Sequence, residues 1–457
     1  MSRIFGTDGV RGVANADLTP ELAFKIGRAG AAELAKSSDR HVPIVVGRDT
    51  RVSGTMLEAA IVAGITSVGR DAVSIGIVPT PAVALVTVKT KAAAGVMISA
   101  SHNPIEDNGI KFFGPDGFKL SDTMEDEIEE LLDSETLAHP TGTGVGVAKV
   151  AQNLGSHYYS ALYEHAADLS GLNVVVDGAF GAAYAIAPYV LRKLGATVHE
   201  LHCEADGARI NVDCGATELA PVIRRVRELI DGGEKHVVGV AFDGDADRAL
   251  FVDEGGQPIS GDHVMFVLAH DLRRRGELVG DAVVGTVMSN VGLERALQHE
   301  GIRLLRAPVG DRYVLEQMRA GGFTLGGEQS GHIIDLRRNT TGDGPMTAVT
   351  LLSVVVSSGT TLHELASGMR VYPQVLINVR ARKTVLDDAR VMAAIADAQA
   401  RLEGGRLLVR PSGTEPLIRI MAEGDDRERI EAVCRELAER IAVASGDAAE
   451  EERSPSR

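Results

Sequence analysis

Residues Gly95-Val96-Met97-Ile98-Ser99-Ala100-Ser101-His102-Asn103-Pro104 carry the first structural signal in the chain. Gly95 to Ile98 reads as a short buried strand, and the apolar run breaks at once into small and polar residues. Pro104 disfavours helical backbone at Asn103, so the Ser-His-Asn tip is expected as a loop. A hydroxyl raised on a rigid strand end beside an imidazole is what a covalent catalyst needs. Taken alone, the same stretch also reads as a polar loop with two ordinary serines. Partners elsewhere in the chain decide what Ser101 does.

Strands and helices alternate on both sides of this loop. Thr19-Pro20-Glu21 has the form of an N-cap followed by proline at the first helical position. Residues 42–46 form a strand that ends in the charged turn Gly47-Arg48-Asp49-Thr50-Arg51. Leu57, Ile61, Ile65 and Val68 follow at helical spacing, and a strand over 72–78 stops at Pro79-Thr80-Pro81. Such alternation implies a largely parallel sheet covered by helices. After Asn108-Gly109-Ile110-Lys111-Phe112-Phe113, an acidic helix presents Met124, Ile128, Leu131 and Leu132 on one face, with its carboxylates expected in solvent. The glycines of His139-Pro140-Thr141-Gly142-Thr143-Gly144 lack the preceding strand of a dinucleotide fingerprint and read as linker.

Further strands are expected over 173–177, 197–202, 236–242, 249–253, 282–287, 303–305 and 323–325. From Tyr372-Pro373 the pattern becomes strand, helix, strand, loop, strand, helix, which suggests a smaller α+β domain. Residues 445–457 are expected as a disordered tail. The resulting division is 1–150, 151–255, 256–368 and 369–444.

The 457 residues are 44% hydrophobic, ample for real cores, and the net charge of −16 argues against a nucleic-acid or anionic-membrane partner. Cys203, Cys214 and Cys434 match neither a zinc pattern nor a CxxC pair, which fits a reducing compartment. With no apolar signal region at Met1-Ser2-Arg3-Ile4-Phe5-Gly6, a cytoplasmic location is expected.

Asp243, Asp245 and Asp247 give the strongest local chemistry. Alternate carboxylates can converge on one face of an extended segment, and dense oxygen ligands select magnesium or calcium. Glu254 falls where a calcium EF-hand would place its last ligand. Arg248 instead of Gly at the sixth position and strand-type flanks oppose that reading. Arg410-Pro411-Ser412-Gly413-Thr414-Glu415-Pro416 offers a guanidinium fork, hydroxyls and backbone N–H groups, either as an anion cradle or as an ordinary turn. Gly327-Glu328-Gln329-Ser330-Gly331-His332 sets donors and acceptors side by side, as sugar hydroxyls require. A serine nucleophile, a divalent cation and a second phosphate cradle together describe phosphoryl transfer on a small phosphorylated substrate. Arg11, Arg48, Lys111, Lys119 and Arg248 would make its cleft locally positive.

Ser99-Ala100-Ser101-His102-Asn103-Pro104, Asp243-Gly244-Asp245-Ala246-Asp247-Arg248, the Glu328 and Arg410 motifs and Phe5-Gly6-Thr7-Asp8-Gly9-Val10-Arg11-Gly12 together resemble the α-D-phosphohexomutases. The resemblance covers nearly the whole chain. Gln329, Thr286-Val287-Met288-Ser289-Asn290 and Thr340-Thr341-Gly342-Asp343-Gly344 are similar to the glucosamine branch, whereas mannose- and glucose-directed members commonly carry Met in place of Gln329. Asp177-Gly178-Ala179-Phe180-Gly181 and Gly215-Ala216-Thr217-Glu218 depart from the family pattern.

The resemblance implies an α/β protein of three similar α/β domains with mixed sheets, plus a smaller C-terminal α+β domain, around a central cleft. It implies an isomerase interconverting glucosamine 6-phosphate and glucosamine 1-phosphate for amino-sugar nucleotide and cell-wall precursor synthesis. By the same resemblance Ser101 carries an activating phosphoryl group, and one Mg²⁺ is held by that phosphate with Asp243, Asp245 and Asp247. Arg248, Glu328, Ser330 and His332 would bind the sugar. Arg410, Ser412, Gly413, Thr414 and Arg419 would bind the non-reacting phosphate. Lys111, His102 and Arg11 are implied in proton transfer and charge stabilisation, Lys111 as base only with a depressed pKa. A monomer or homodimer is expected. The alternatives are a phosphomannomutase/phosphoglucomutase of the same family, a metal-dependent phosphatase and a non-catalytic calcium-binding protein.

Overall fold

The computed structural model describes residues 3–6, 8–164, 166–412 and 416–446. Two compact units emerge, Met1–Thr286 with Leu305–Ser367, and Val287–Leu304 with Gly368–Arg457.

The first sheet of the larger unit runs in the order Val10–Val13, Asp107–Phe113, Ala94–Ile98, Ile44–Arg48, Ala72–Ile77, Ala148–Val150. The strand before Ser101 is fully buried and lies parallel to Ile44–Arg48. Asp107–Phe113 returns antiparallel beside it, so the sheet is mixed, while its other pairs, from Ala94–Ile98 through Ile44–Arg48 and Ala72–Ile77 to Ala148–Val150, are parallel as expected. The loop over 99–106 is too short for a parallel crossover, which needs about a dozen residues, and that length forces the reversal. Helices Pro20–Leu34 and Gly54–Ser67 cover one face almost backbone to backbone, because a Cβ on Gly64 would lie 2.2 Å from the Phe24 carbonyl oxygen. Thr19 does cap the first of them, its hydroxyl accepting from the Leu22 N–H at 3.2 Å. Pro79-Thr80-Pro81 ends a strand as expected but also starts the buried helix Thr80–Thr90, since proline is tolerated in a first helical turn.

The acidic helix Asp122–Leu131 is not wholly a solvated face. Glu125 is 8% exposed and accepts from Arg3 at 3.1 Å. Burial pushes its carboxyl up to about 7 against the opposing charges of Arg312 and Arg3.

A second sheet follows the order Pro258–Ile259, Ala249–Val252, Val237–Phe242, Asn173–Asp177, Thr197–Leu201, with parallel pairing on both sides of Asn173–Asp177. A third has the order Arg303–Ala307, Ala282–Thr286, Leu325–Gly327, Ile333–Asp335. The smaller unit is an antiparallel sheet, Gln374–Arg380, Leu417–Glu423, Arg406–Pro411, whose core joins Ile418 and Ile420 to Val391, Val433 and Leu437 of helices Ala389–Ala400 and Arg427–Ser445. This is the α+β arrangement expected. Helix Arg427–Ser445 carries order past the start of the expected tail, and 447–457 lie outside the described residues. No helix among the described residues is long and apolar enough to cross a membrane.

Candidate active site

Two buried strands set the serine loop. Asp49, at the end of Ile44–Arg48, donates its N–H to the Ile98 carbonyl at 3.1 Å. Its carboxylate accepts from the Ser99 hydroxyl at 2.6 Å and from Arg51 Nε at 3.1 Å. Ser99 Oγ in turn accepts the Ser101 N–H at 2.9 Å, which commits Ser99 to support, while the Ser101 hydroxyl faces the acidic cluster. The Arg51 guanidinium, 1% exposed, donates to the carbonyl oxygens of Ser101 (2.9 Å), Asn103 (2.8 Å), Pro104 (2.5 Å) and Asp107 (2.9 Å). Held this way, Ser101 adopts φ +54°, a left-handed conformation that costs a non-glycine residue about 1–3 kcal/mol. Sequence reasoning missed the Asp49–Arg51 support. Its signal was the Gly47-Arg48-Asp49-Thr50-Arg51 turn directly after an apolar strand.

Fully buried Val237–Phe242 delivers the aspartates. They converge through a tight turn and not along an extended face: the Ala246 N–H donates to the Asp243 carbonyl at 3.0 Å, with Ala246 at φ +56°. Gly244 permits the contact between the two loops, for a Cβ there would lie 2.5 Å from the Ser101 carbonyl oxygen. Ser101 Oγ donates to Asp243 Oδ2 at 2.6 Å. One oxygen from each of Asp243, Asp245 and Asp247 lies within 4.8 Å of the others. Asp245 Oδ1 and Asp247 Oδ1 are buried without a hydrogen-bond partner. Burial, then repulsion from Asp247 and Asp245, pushes the Asp243 carboxyl well above the usual range. An oxygen-only set with orphaned acceptors and mutual repulsion fits a hard divalent cation such as Mg²⁺. Glu254, the twelfth residue of an EF-hand count, instead accepts the Leu362 and His363 N–H groups at 2.9 and 3.0 Å, capping another helix. That count therefore places no ligand here.

Cations surround the cluster. Lys111 Nζ lies 3.0 Å from Asp8 Oδ2, 3.0 Å from Asp245 Oδ2 and 3.8 Å from Asp247 Oδ2. Burial alone would lower its pKa, but Asp245 and Asp8 outweigh burial and raise it. Lys111 is thus a fixed cation, contrary to what a lysine base requires. Lys119 bridges Asp8 and Asp311, and His332 stands 3.5 Å from both Asp247 and Asp311. Arg11 pairs with Asp8 and donates to Asn103 Oδ1 at 3.2 Å. His102 Nδ1 is 3.2 Å from Ser101 Oγ, and burial with the charge of Arg248 lowers the ring to about 4.

Glu328 and Ser330 occupy the turn between Leu325–Gly327 and Ile333–Asp335. Ser330 Oγ donates to Glu328 Oε2 at 3.4 Å. Ser101, His102, Lys111, Arg11, the three aspartates, Arg248, Glu328, Ser330 and His332 all belong to the larger unit. On the smaller unit Arg410 and Arg419 are register partners on adjacent strands, and Arg419 Nη2 donates to Ser412 Oγ at 3.4 Å. Gly413 and Thr414 lie outside the described residues.

Models of the phosphoglucomutase/phosphomannomutase domains match in series: α/β/α domain I over 2–139, domain II over 156–256, domain III over 260–372 and the C-terminal domain over 376–440. The chain belongs to the phosphoglucomutase/phosphomannomutase family. Within this family it is 50% identical over 448 residues to the phosphoglucosamine mutase of Thermoanaerobacter sp. (strain X514), covering 96% of this chain and 99% of that one. The fold is shared with a crystallised phosphoglucomutase/phosphomannomutase family protein from Burkholderia thailandensis, with TM-score 0.82, 23% identity and coverage of 98% and 99%. It is also shared with Aspergillus fumigatus N-acetylphosphoglucosamine mutase in complex with GlcNAc-6P and magnesium, with TM-score 0.65, 18% identity and 96% coverage of each chain. Family membership accounts for the α/β layers and the smaller C-terminal domain.

Proposed function

We propose that this chain interconverts glucosamine 6-phosphate and glucosamine 1-phosphate, with Ser101 as the phosphoryl carrier. The observation that carries the proposal is the 2.6 Å contact of Ser101 Oγ with Asp243 inside a buried triad of carboxylates. Half of all positions shared with a phosphoglucosamine mutase over 96% of this chain supports the choice of sugar.

In the forward direction the sugar 1-hydroxyl attacks the phosphorus on phospho-Ser101. The P–Oγ bond breaks, the hydroxyl proton departs to a base, and a 1,6-bisphosphate results. After the sugar turns over, Ser101 Oγ attacks the 6-phosphoryl group and the P–O6 bond breaks, leaving the 1-phosphate and a restored phosphoserine. Asp243, Asp245 and Asp247 would hold Mg²⁺, which when bound offsets charge on the transferring phosphoryl oxygens. Lys111 and Arg11 hold positive charge beside the cluster throughout. His102, neutral near pH 7, lies within reach of the Ser101 oxygen and is assigned the proton exchange there. Glu328 and Ser330 are assigned the sugar hydroxyls, with Arg248 and His332 beside them. Arg410, Ser412 and Arg419 are assigned the phosphate role that the family resemblance implies.

Intact mass of the purified protein, with the modification mapped, is the direct test. A phosphate on Ser101 and its loss with activity in Ser101→Ala are expected. Full mutase activity in Ser101→Ala overturns the carrier role. Turnover of glucosamine, glucose and mannose phosphates tests the sugar, and a preference for mannose phosphate overturns it.

A further inference from the structure

A second cluster of metal-ligating side chains stands apart from the carboxylate triad. Asp177 ends the strand Asn173–Asp177, His202 directly follows the neighbouring strand Thr197–Leu201, and Cys214 lies in the loop ahead of helix Ala220–Asp231. One donor atom from each lies within 4.8 Å of the other two. Asp177 and Cys214 have no solvent exposure, whereas His202 is partly exposed and gives the cluster an opening to water. The carboxyl ends of parallel strands are where open α/β sheets bind ligands.

The carboxylate and the imidazole are already oriented. Asp177 Oδ1 accepts the Ala179 N–H at 2.9 Å, Oδ2 accepts the Gly215 N–H at 3.1 Å, and His202 Nδ1 is 3.0 Å from Oδ2. Backbone donors of this kind fix carboxylate ligands in metal sites. The His202 ring is further held against Phe180 at a centroid distance of 4.9 Å. Burial pushes the Cys214 thiol up to about 12, while the Asn211 backbone N–H and the Arg209 charge act on the sulfur in the opposite sense.

The surrounding loops are conformationally expensive. Ala179, Phe180, His202, Asn211 and Asp213 all have left-handed φ between 50° and 60°. Strain of this kind persists only where the neighbourhood over-determines the backbone. These loops also back the catalytic loops. Asn211 Nδ2 donates to the Ser101 carbonyl at 2.9 Å, and the Ala182 N–H donates to the Gly244 carbonyl at 2.8 Å. Asp177-Gly178-Ala179-Phe180-Gly181 and Gly215-Ala216-Thr217-Glu218, which depart from the family pattern, lie at this cluster.

We propose that Asp177, His202 and Cys214 form a structural site for one thiophilic divalent cation of the zinc class, completed by water. A carboxylate, an imidazole and a thiolate suit Zn²⁺ or Co²⁺ and exclude Mg²⁺ as the preferred ion. Binding releases the Cys214 proton to solvent and ties two strand ends and the Cys214 loop together behind the aspartate turn. The site is independent of the mutase reading.

The test uses the full chain, stripped with a chelator and titrated with Co²⁺ in excess Mg²⁺, which occupies the aspartate triad. One equivalent of Co²⁺ is expected, with a near-ultraviolet thiolate-to-cobalt charge-transfer band. The triad has no thiolate and cannot produce that band. Cys214→Ser should abolish the band, and His202→Gln should weaken binding at least about tenfold. Asp243→Asn should leave the band unchanged. Zn²⁺ should raise the melting temperature of the parent chain and not that of His202→Gln, whose partly exposed side chain makes it the safer variant should Cys214→Ser fail to fold. Absence of the band, its persistence in Cys214→Ser, or equal zinc stabilisation of His202→Gln overturns the proposal.

Discussion

Arg51 Nη2 donates to the carbonyl oxygen of Ser101 at 2.9 Å from a side chain with almost no solvent exposure. The same guanidinium binds three further carbonyls of the loop, so it sets where the Ser101 hydroxyl points. Lysine carries the charge but not the planar fork. Arg51→Lys is expected to lower kcat by about 100-fold, the scale of a 1 Å misplacement, with KM changed little. Steady-state kinetics together with the phosphate content of Ser101 check this. A rise in KM at constant kcat would assign Arg51 to substrate binding instead.

Mutual repulsion within the triad costs stability. Asp243 has a folded-state pKa raised by burial and by Asp247 and Asp245, so its ionised form costs stability at neutral pH. In chelator, Asp243→Asn should melt above the parent chain. With saturating Mg²⁺ the difference should shrink or reverse, because ion binding stabilises the parent by mass action. Activity should fall by more than about 100-fold. Melting curves in both conditions are decisive, and a variant less stable than the parent in chelator removes the repulsion argument.

Lys111 is the counter-charge of three carboxylates. Lys111→Met should cost about 3–5 kcal/mol, because it strands buried anions. Adding Asp245→Asn should recover part of that loss. Urea unfolding of the two single variants and the double variant measures the coupling, and strict additivity would show that the pair does not interact.

Asp343 gives stability a pH dependence of defined sign. Its carboxylate accepts from Tyr158 at 2.5 Å and from Asn339 at 2.8 Å, yet burial still raises its pKa from 3.8 to about 6. The folded state therefore holds the proton more tightly than the unfolded chain. Stability contributed by protonated Asp343 is present at low pH and lost as pH rises through 6. The loss is about 3 kcal/mol between pH 3 and neutrality. Asp343→Asn should lose correspondingly less stability over that interval, and parallel curves for the two proteins would refute the assignment.

What was legible in the sequence is what the chain writes contiguously. Ser101 with its following His102-Asn103-Pro104, and the alternate aspartates after an apolar strand, carry their chemistry in one short window. The Arg51 support is invisible there, since its partners are backbone carbonyls about fifty residues away. Lys111 was visible as a cation but not as a fixed one, because Asp8, Asp245 and Asp247 reach it from two other segments. Glu125 read as solvated for the same reason: Arg3 and Arg312, which bury it, belong to distant parts of the chain. Pro81 marked the end of one element correctly but not the helix that begins there, as a proline that ends one element can begin the next.

Chain order adds one consequence. Arg51 leaves the ribosome fifty residues before Ser101, in the turn between a strand and a helix that precede the serine loop in sequence. N-terminal segments are available to fold first during synthesis. The receptor for the loop's carbonyls is therefore made before the loop itself, and the Ser101-bearing segment emerges onto a template already translated.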